Sequence, residues 1–169
     1  MTRSWLAVGS LLLSLGAVPA FGYSEGGGGG AAAVAAIQQQ YALATRDLDA
    51  VKKAQEAIDF KEWDQAIAIL VDLTTRFDRS ADLENLLGFS YRMLGQYQQA
   101  FAYYDRTLAI DPMHKGALEY EGEAYLETDQ LPKAEANLAS LRSACAGACK
   151  EVALLQSAID RYKAKARIN

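Results

Sequence analysis

Past residue 46 the apolar positions recur every three or four residues, in blocks about 12 to 15 residues long, the spacing of one buried helical face. Short polar breaks separate the blocks: "DFKEWD", "FDRSAD", "LGQY", "IDPMHKG", "ETDQLP" and "CAGAC". Strict apolar–polar alternation is scarce, and no Asn-Gly or Asp-Gly hairpin turn occurs. The pattern predicts an all-α chain with short antiparallel connections. A last block, "CKEVALLQSAIDRYKAK", sets Val152, Leu155, Ile159 and Tyr162 on one stripe and predicts a closing helix from about Lys150 to Lys165. Before residue 47, "AAAVAAIQQQYALAT" is alanine-rich. Val34, Ile37, Tyr41, Leu48 and Val51, with Ala44 between, predict one apolar stripe, and residues 31–46 are expected to be helical when docked and frayed otherwise.

The blocks also repeat. Ala66, Ala100 and Ala134 lie 34 residues apart, as do Ala54, Gly88 and Gly122. The same step relates Ala57, Tyr91 and Tyr125; Trp63, Tyr97 and Leu131; and Leu70, Tyr104 and Leu138. A helix-turn-helix unit with a 34-residue period is the spacing of the tetratricopeptide repeat. The stretch "NLLGFSYRMLGQYQQAFAYYDRTLAIDP" resembles that family, with Leu87, Gly88, Tyr91, Gly95, Tyr97, Ala100, Tyr104 and Pro112 at the family's positions. The resemblance covers residues 47–148 as three repeats, 47–80, 81–114 and 115–148. The flanking repeats depart from it: Lys53 and Glu121 stand where the middle one has Leu87, and Asp78 and Ala146 where it has Pro112. The expected architecture is a right-handed α-solenoid of three such repeats, closed by a capping helix and basic tail over 149–169. Gly88 and Ala100 should let paired helices approach, Tyr91, Tyr97 and Tyr104 should fill the space that remains, and Pro112 should force the turn.

The N-terminus, "MTRSWLAVGSLLLSLGAVPAFGYS", has one cation, an apolar run and small residues after Pro19, the layout of a secretory signal over residues 1–22. The competing reading is an uncleaved anchor: Trp5–Gly22 is free of charge and close to the roughly 20 residues a spanning helix needs. Pro19 and the small residues favour cleavage. Next comes a run of glycines from Gly26 to Gly30, so residues 23–30 are expected to be a flexible tether. The net charge of −4, with both signs well mixed, gives no footprint for nucleic acid.

Candidate chemistry is sparse. "GFSYR" lacks the second glycine of a nucleophile elbow and falls inside a predicted helix. His114 is the only histidine, which disfavours a Ser–His pair or a histidine metal site and leaves it as a solvated turn residue. No phosphate loop or nucleotide fingerprint appears. Cys145 and Cys149 are the only cysteines, and an even count in an exported chain predicts a disulfide between them. A redox or soft-metal site is the alternative for the pair. Arg161, Lys163, Lys165 and Arg167 read as favourable charge near a helix C-terminus, ahead of an anionic-surface contact.

What the resemblance implies is a non-enzymatic module that binds a segment of a partner protein in a concave groove lined by the first helix of each repeat. The positions beside the core stripe are Asn85, Phe89 and Arg92, then Glu119, Tyr120, Glu123 and Leu126 one period on, and Val51, Gln55 and Ile58 one period back. For Phe89 packing between repeats is the equal alternative. This surface is poor in cations and fits an apolar or cationic segment. The expectation is therefore an exported, periplasmic adaptor for a protein partner, with no cofactor, metal, nucleic acid or small-molecule substrate, and with membrane contact only through an uncleaved N-terminus. Two other classes stay open: a redox or soft-metal protein using Cys145 and Cys149, and a self-assembling scaffold exchanging residues 31–46 between chains.

Overall fold

The computed structural model describes Gln38 and residues 46–77, 80–146 and 149–166; the signal and the glycine run fall outside these residues, as does nearly all of the 31–46 segment. The described chain is helical and contains no strand. Helix α1 covers residues 46–59. It is followed by α2 (Trp63–Arg76), α3 (Ala81–Met93), α4 (Tyr97–Ile110), α5 (Lys115–Glu127), α6 (Leu131–Ala144) and α7 (Lys150–Ala166). From α2 to α6 each helix packs on the next, α7 packs on both α5 and α6, and α3 also touches α5.

The 34-residue step seen in the sequence recurs in the backbone. Helices α2, α4 and α6 start at Trp63, Tyr97 and Leu131, and end at Arg76, Ile110 and Ala144. The turns that precede them are built alike. Lys61, Gly95 and Asp129 each adopt a positive φ, of 62°, 72° and 58°. The next residue in each case closes the turn: the amides of Glu62, Gln96 and Gln130 donate to the carbonyls of Ala57, Tyr91 and Tyr125 at 2.8, 2.9 and 2.7 Å. That is a left-handed cap on the preceding helix, a conformation glycine adopts freely and a residue with a Cβ adopts at a cost. Of the three positions, Gly95 alone is a glycine.

Helices α3 and α5 start on side-chain caps. Ser80 Oγ accepts the Leu83 amide at 3.4 Å at the head of α3. At the head of α5, His114 Nδ1 accepts the Ala117 amide at 3.1 Å, and its Nε2 lies 3.1 Å from Asp82 Oδ1. An Nδ1 that accepts leaves the proton on Nε2, which donates to Asp82. That hydrogen bond from His114 lowers the pKa of Asp82. The expectation of a solvated turn histidine is therefore corrected: the side chain of His114 is only 13% exposed and ties the start of α5 to the start of α3. Pro112 does sit in the exposed turn after α4, whose last residue is Ile110.

The core has three adjoining clusters. Ala54, Leu70, Leu73, Leu83 and Leu87 form one, Ala100, Tyr104, Ala117, Tyr120 and Ala124 the next, and Leu118, Leu138, Leu141, Leu155 and Ile159 belong to the last. Tyr91 and Tyr97 pack partly buried against these clusters. The predicted stripe on α1 is shifted: Leu48 and Val51 are 54% and 39% exposed, and Ala50, Ala54 and Ile58 face the core instead. There they join Leu70 and Leu73 of α2 in one cluster.

A Cβ on Gly88 would come within 2.6 Å of the Tyr104 ring on α4, and one on Gly122 within 2.7 Å of Leu155 on α7. The two glycines are equivalent by the 34-residue step, yet different helices fill the space above them. Leu138, the equivalent of Tyr104, is shorter, and α7 supplies Leu155 over Gly122.

The turn geometry makes a direct prediction. Lys61→Gly should raise stability by about 0.5–1 kcal/mol in chemical denaturation, because glycine relieves the left-handed strain at a site where the lysine is exposed. A loss of stability would contradict the strained-cap reading of that turn.

Candidate binding surface on the first helices

The residues predicted to line a groove occupy α1, α3 and α5, with different fates. On α3, Phe89 is half-buried between two rings. It meets Trp63 of α2 edge-on at 5.8 Å and Tyr120 of α5 in a tilted contact at 4.9 Å. The packing role therefore applies, and its half-exposed side remains available to solvent. Asn85, Glu119 and Tyr120 are buried, whereas Gln55 is half-buried and donates to Asp59 at 3.0 Å along its own helix. Burial pushes the Tyr120 hydroxyl pKa up, and the charges of Glu119 and Glu123 add to the shift.

Arg92 departs furthest from expectation. It was predicted to stand free on the groove and is instead 9% exposed, locked between two carboxylates of α5. Its Nη1 lies 2.8 Å from Glu123 Oε2, while Nε and Nη2 grip Glu127 through both oxygens at 2.9 and 2.6 Å. Burial alone would lower the Arg92 pKa; the hydrogen bond to Glu127 and the charges of Glu123 and Glu127 outweigh it and raise it. This fork joins one first helix to the next. Only Arg92 is buried in it: the Glu123 and Glu127 side chains are 24% and 39% exposed, and losing either acid leaves Arg92 paired with the other. Glu127 was missed from the sequence. The signal was there once the units are superposed: Arg92 maps onto position 126, and Glu123 and Glu127 straddle it.

Behind this surface Glu121 is buried between α5 and α6. Asn137 Nδ2 donates to its Oε2 at 2.7 Å, and the Tyr125 hydroxyl to its Oε1 at 3.2 Å. Burial nonetheless raises its pKa, against the lowering effect of both hydrogen bonds. The Tyr104 hydroxyl, fully buried near Arg92, has no hydrogen-bond partner among the described residues, and burial holds its pKa well up.

Between the C-terminal turns of α3, α5 and α7 lies an open cleft of about 690 Å³. One wall carries Arg92, Glu123, Glu127 and Asp129; the other carries Arg161, Tyr162 and Lys165, with Ala158 and Ala166 beside them. The Tyr162 hydroxyl donates to Asp129 Oδ1 at 3.1 Å and spans the two walls at one point. Lys163 points elsewhere and pairs with Glu135 at 2.5 Å.

Cys145 and Cys149 are joined in a disulfide, with Cα atoms 5.7 Å apart, at the corner between α6 and α7. Their sulfurs and a Glu151 oxygen lie within 4.8 Å of one another, but the disulfide leaves no thiolate for a metal. No described helix is long and apolar enough to cross a membrane.

No protein-family model matches this chain, and no curated protein matches it. Its chemistry has to be read from its own residues.

The raised Glu121 pKa carries a sign. The folded chain holds that proton more tightly than the unfolded chain, so ionisation removes stability as pH climbs from the ordinary value of 4.5 through the raised folded value. Glu121→Gln keeps an acceptor for Asn137 and should gain stability relative to wild type as pH rises above the ordinary value of 4.5. A pH-independent difference between the two denaturation midpoints would contradict this.

Proposed function

We propose that the chain is an exported binding module of the tetratricopeptide type, non-enzymatic, which holds a segment of a partner protein against the exposed edges of α1, α3 and α5. The observation that carries this reading is the 34-residue recurrence of helix bounds, left-handed turn residues and turn hydrogen bonds. A quasi-regular stack of helix pairs offers an extended surface and no enclosed reaction chamber, which suits a chain-like ligand. The reading has three repeats stacked as a right-handed solenoid, with α7 standing where a fourth first helix would begin and sealing the last core.

Export is supported by the leader-like N-terminus and by the disulfide, which belongs in an oxidising compartment such as the periplasm. With Arg92 and Glu119 taken up in the fold, the surface left for a partner is Val51, Gln55, the open side of Phe89 and Glu123. It is mixed apolar and acidic, and it favours an apolar or cationic segment.

Crosslinking capture from an envelope fraction tests the proposal. Val51→Asp with Gln55→Arg changes two accessible positions on α1 and should leave the melting temperature unchanged while removing the main partner. A partner list identical to that of wild type would overturn the assignment of this face.

A further inference from the structure

The cleft between the ends of α5 and α7 has a charge arrangement that the groove reading did not use. Its α5 wall carries Glu123, Glu127 and Asp129 against the single Arg92, a formal excess of two negative charges. The α7 wall carries Arg161 and Lys165, a formal excess of two positive charges. The two walls do not neutralise each other. The ion pairs of Glu123 and Glu127 run to Arg92, and the contact of Asp129 is a neutral hydroxyl. Among the described residues Arg161 donates only to Ser157 on its own helix, at 2.7 Å, and Lys165 makes no ion pair or hydrogen bond. Ala158 and Ala166 line the cleft with methyl groups only. The C-terminal carbonyls of α5 add to the negative wall.

Opposite charges held apart across about 690 Å³ are satisfied by an occupant that carries both signs. We propose that this cleft takes a mixed-charge stretch of polypeptide, with a lysine or arginine against Glu123, Glu127 and Asp129 and an aspartate or glutamate a residue or two away against Arg161 and Lys165. The occupant is peptide because the cleft is open and continues the stripe of Phe89, which lies one helical turn before Arg92 on α3. The proposal rests on the groove reading and specifies the end of the groove that sets partner charge. It assigns a role to α7 beyond capping, since α7 provides half of the recognising charge. Arg161 and Lys165, read from sequence as favourable C-terminal charge, become the part of α7 that meets the ligand.

The test uses the full chain and three terminally blocked Gly/Ser peptides. One carries a lysine and an aspartate separated by one glycine, one carries two lysines, and one carries two aspartates. In an NMR titration at low salt the mixed peptide should bind at least about tenfold more tightly than either control and shift amides on both walls, a difference of about 1.4 kcal/mol. Arg161→Glu with Lys165→Glu, both exposed positions, should hand the preference to the two-lysine peptide. Equal affinity for all three peptides, or an unchanged preference in the variant, would overturn the proposal. Capture from the envelope fraction separates the two readings. Where the α1 variant loses the partner and the Arg161→Glu/Lys165→Glu variant keeps it, the groove stands and the cleft proposal fails. Where both variants keep it, the groove reading fails as well.

Discussion

The architecture depends on how closely α3 can approach α4. Gly88 makes that approach possible, because a Cβ there would lie 2.6 Å from the ring of Tyr104. With the ring seated on the glycine, Tyr104 is fully buried and its neighbours Ala100, Ala117 and Ala124 close around it. Gly122 repeats the device one unit later, with Leu155 as the knob. Two contacts of this kind set the spacing of α3, α4, α5 and α7, and the ion pairs and caps fasten what that spacing brings together. The Arg92 fork to Glu123 and Glu127 joins α5 to α3 at their C-terminal ends, and His114 joins them at their N-terminal ends.

Much of this was legible in the sequence. The matched columns give the helix pairs, the buried alanines and the glycine contacts, since size at a crossing repeats with the unit. The closing helix followed from its apolar stripe, and the cysteine pair from an even count in a chain with a leader-like start. What stayed hidden were relations between units. Reading one helical face at a time placed Arg92 on an open groove, because its acids lie on the next first helix. His114 looked solvated because a histidine capping a helix has no sequence signature as plain as that of serine or aspartate. The shift of the α1 stripe from Leu48 and Val51 to Ala50 and Ala54 stayed hidden because hydrophobicity alone points to the large residues.

The surface proposed for a partner is narrower in the fold than in the sequence. Asn85, Glu119 and Tyr120 went into the interior and Arg92 into its fork with two acids, which leaves a narrow apolar-acidic strip. In the proposed reading the open cleft beside α7, lined by Arg161 and Lys165, supplies charge for a ligand at the C-terminal end. The disulfide at Cys145–Cys149 sits at the corner from which α7 departs, so the covalent link holds the helix that carries the positive wall.

A double-mutant cycle on Gly88 and Tyr104 tests the constraint on which this account rests. Gly88→Ala in the wild-type chain should lose about 1–3 kcal/mol through overpacking, more than the roughly 1 kcal/mol that alanine gains in a helix. In a Tyr104→Leu background the ring is gone, and Gly88→Ala should be neutral or stabilising, a coupling of at least about 1 kcal/mol. An equal effect of Gly88→Ala in both backgrounds would show that the glycine–tyrosine contact does not set the helix spacing.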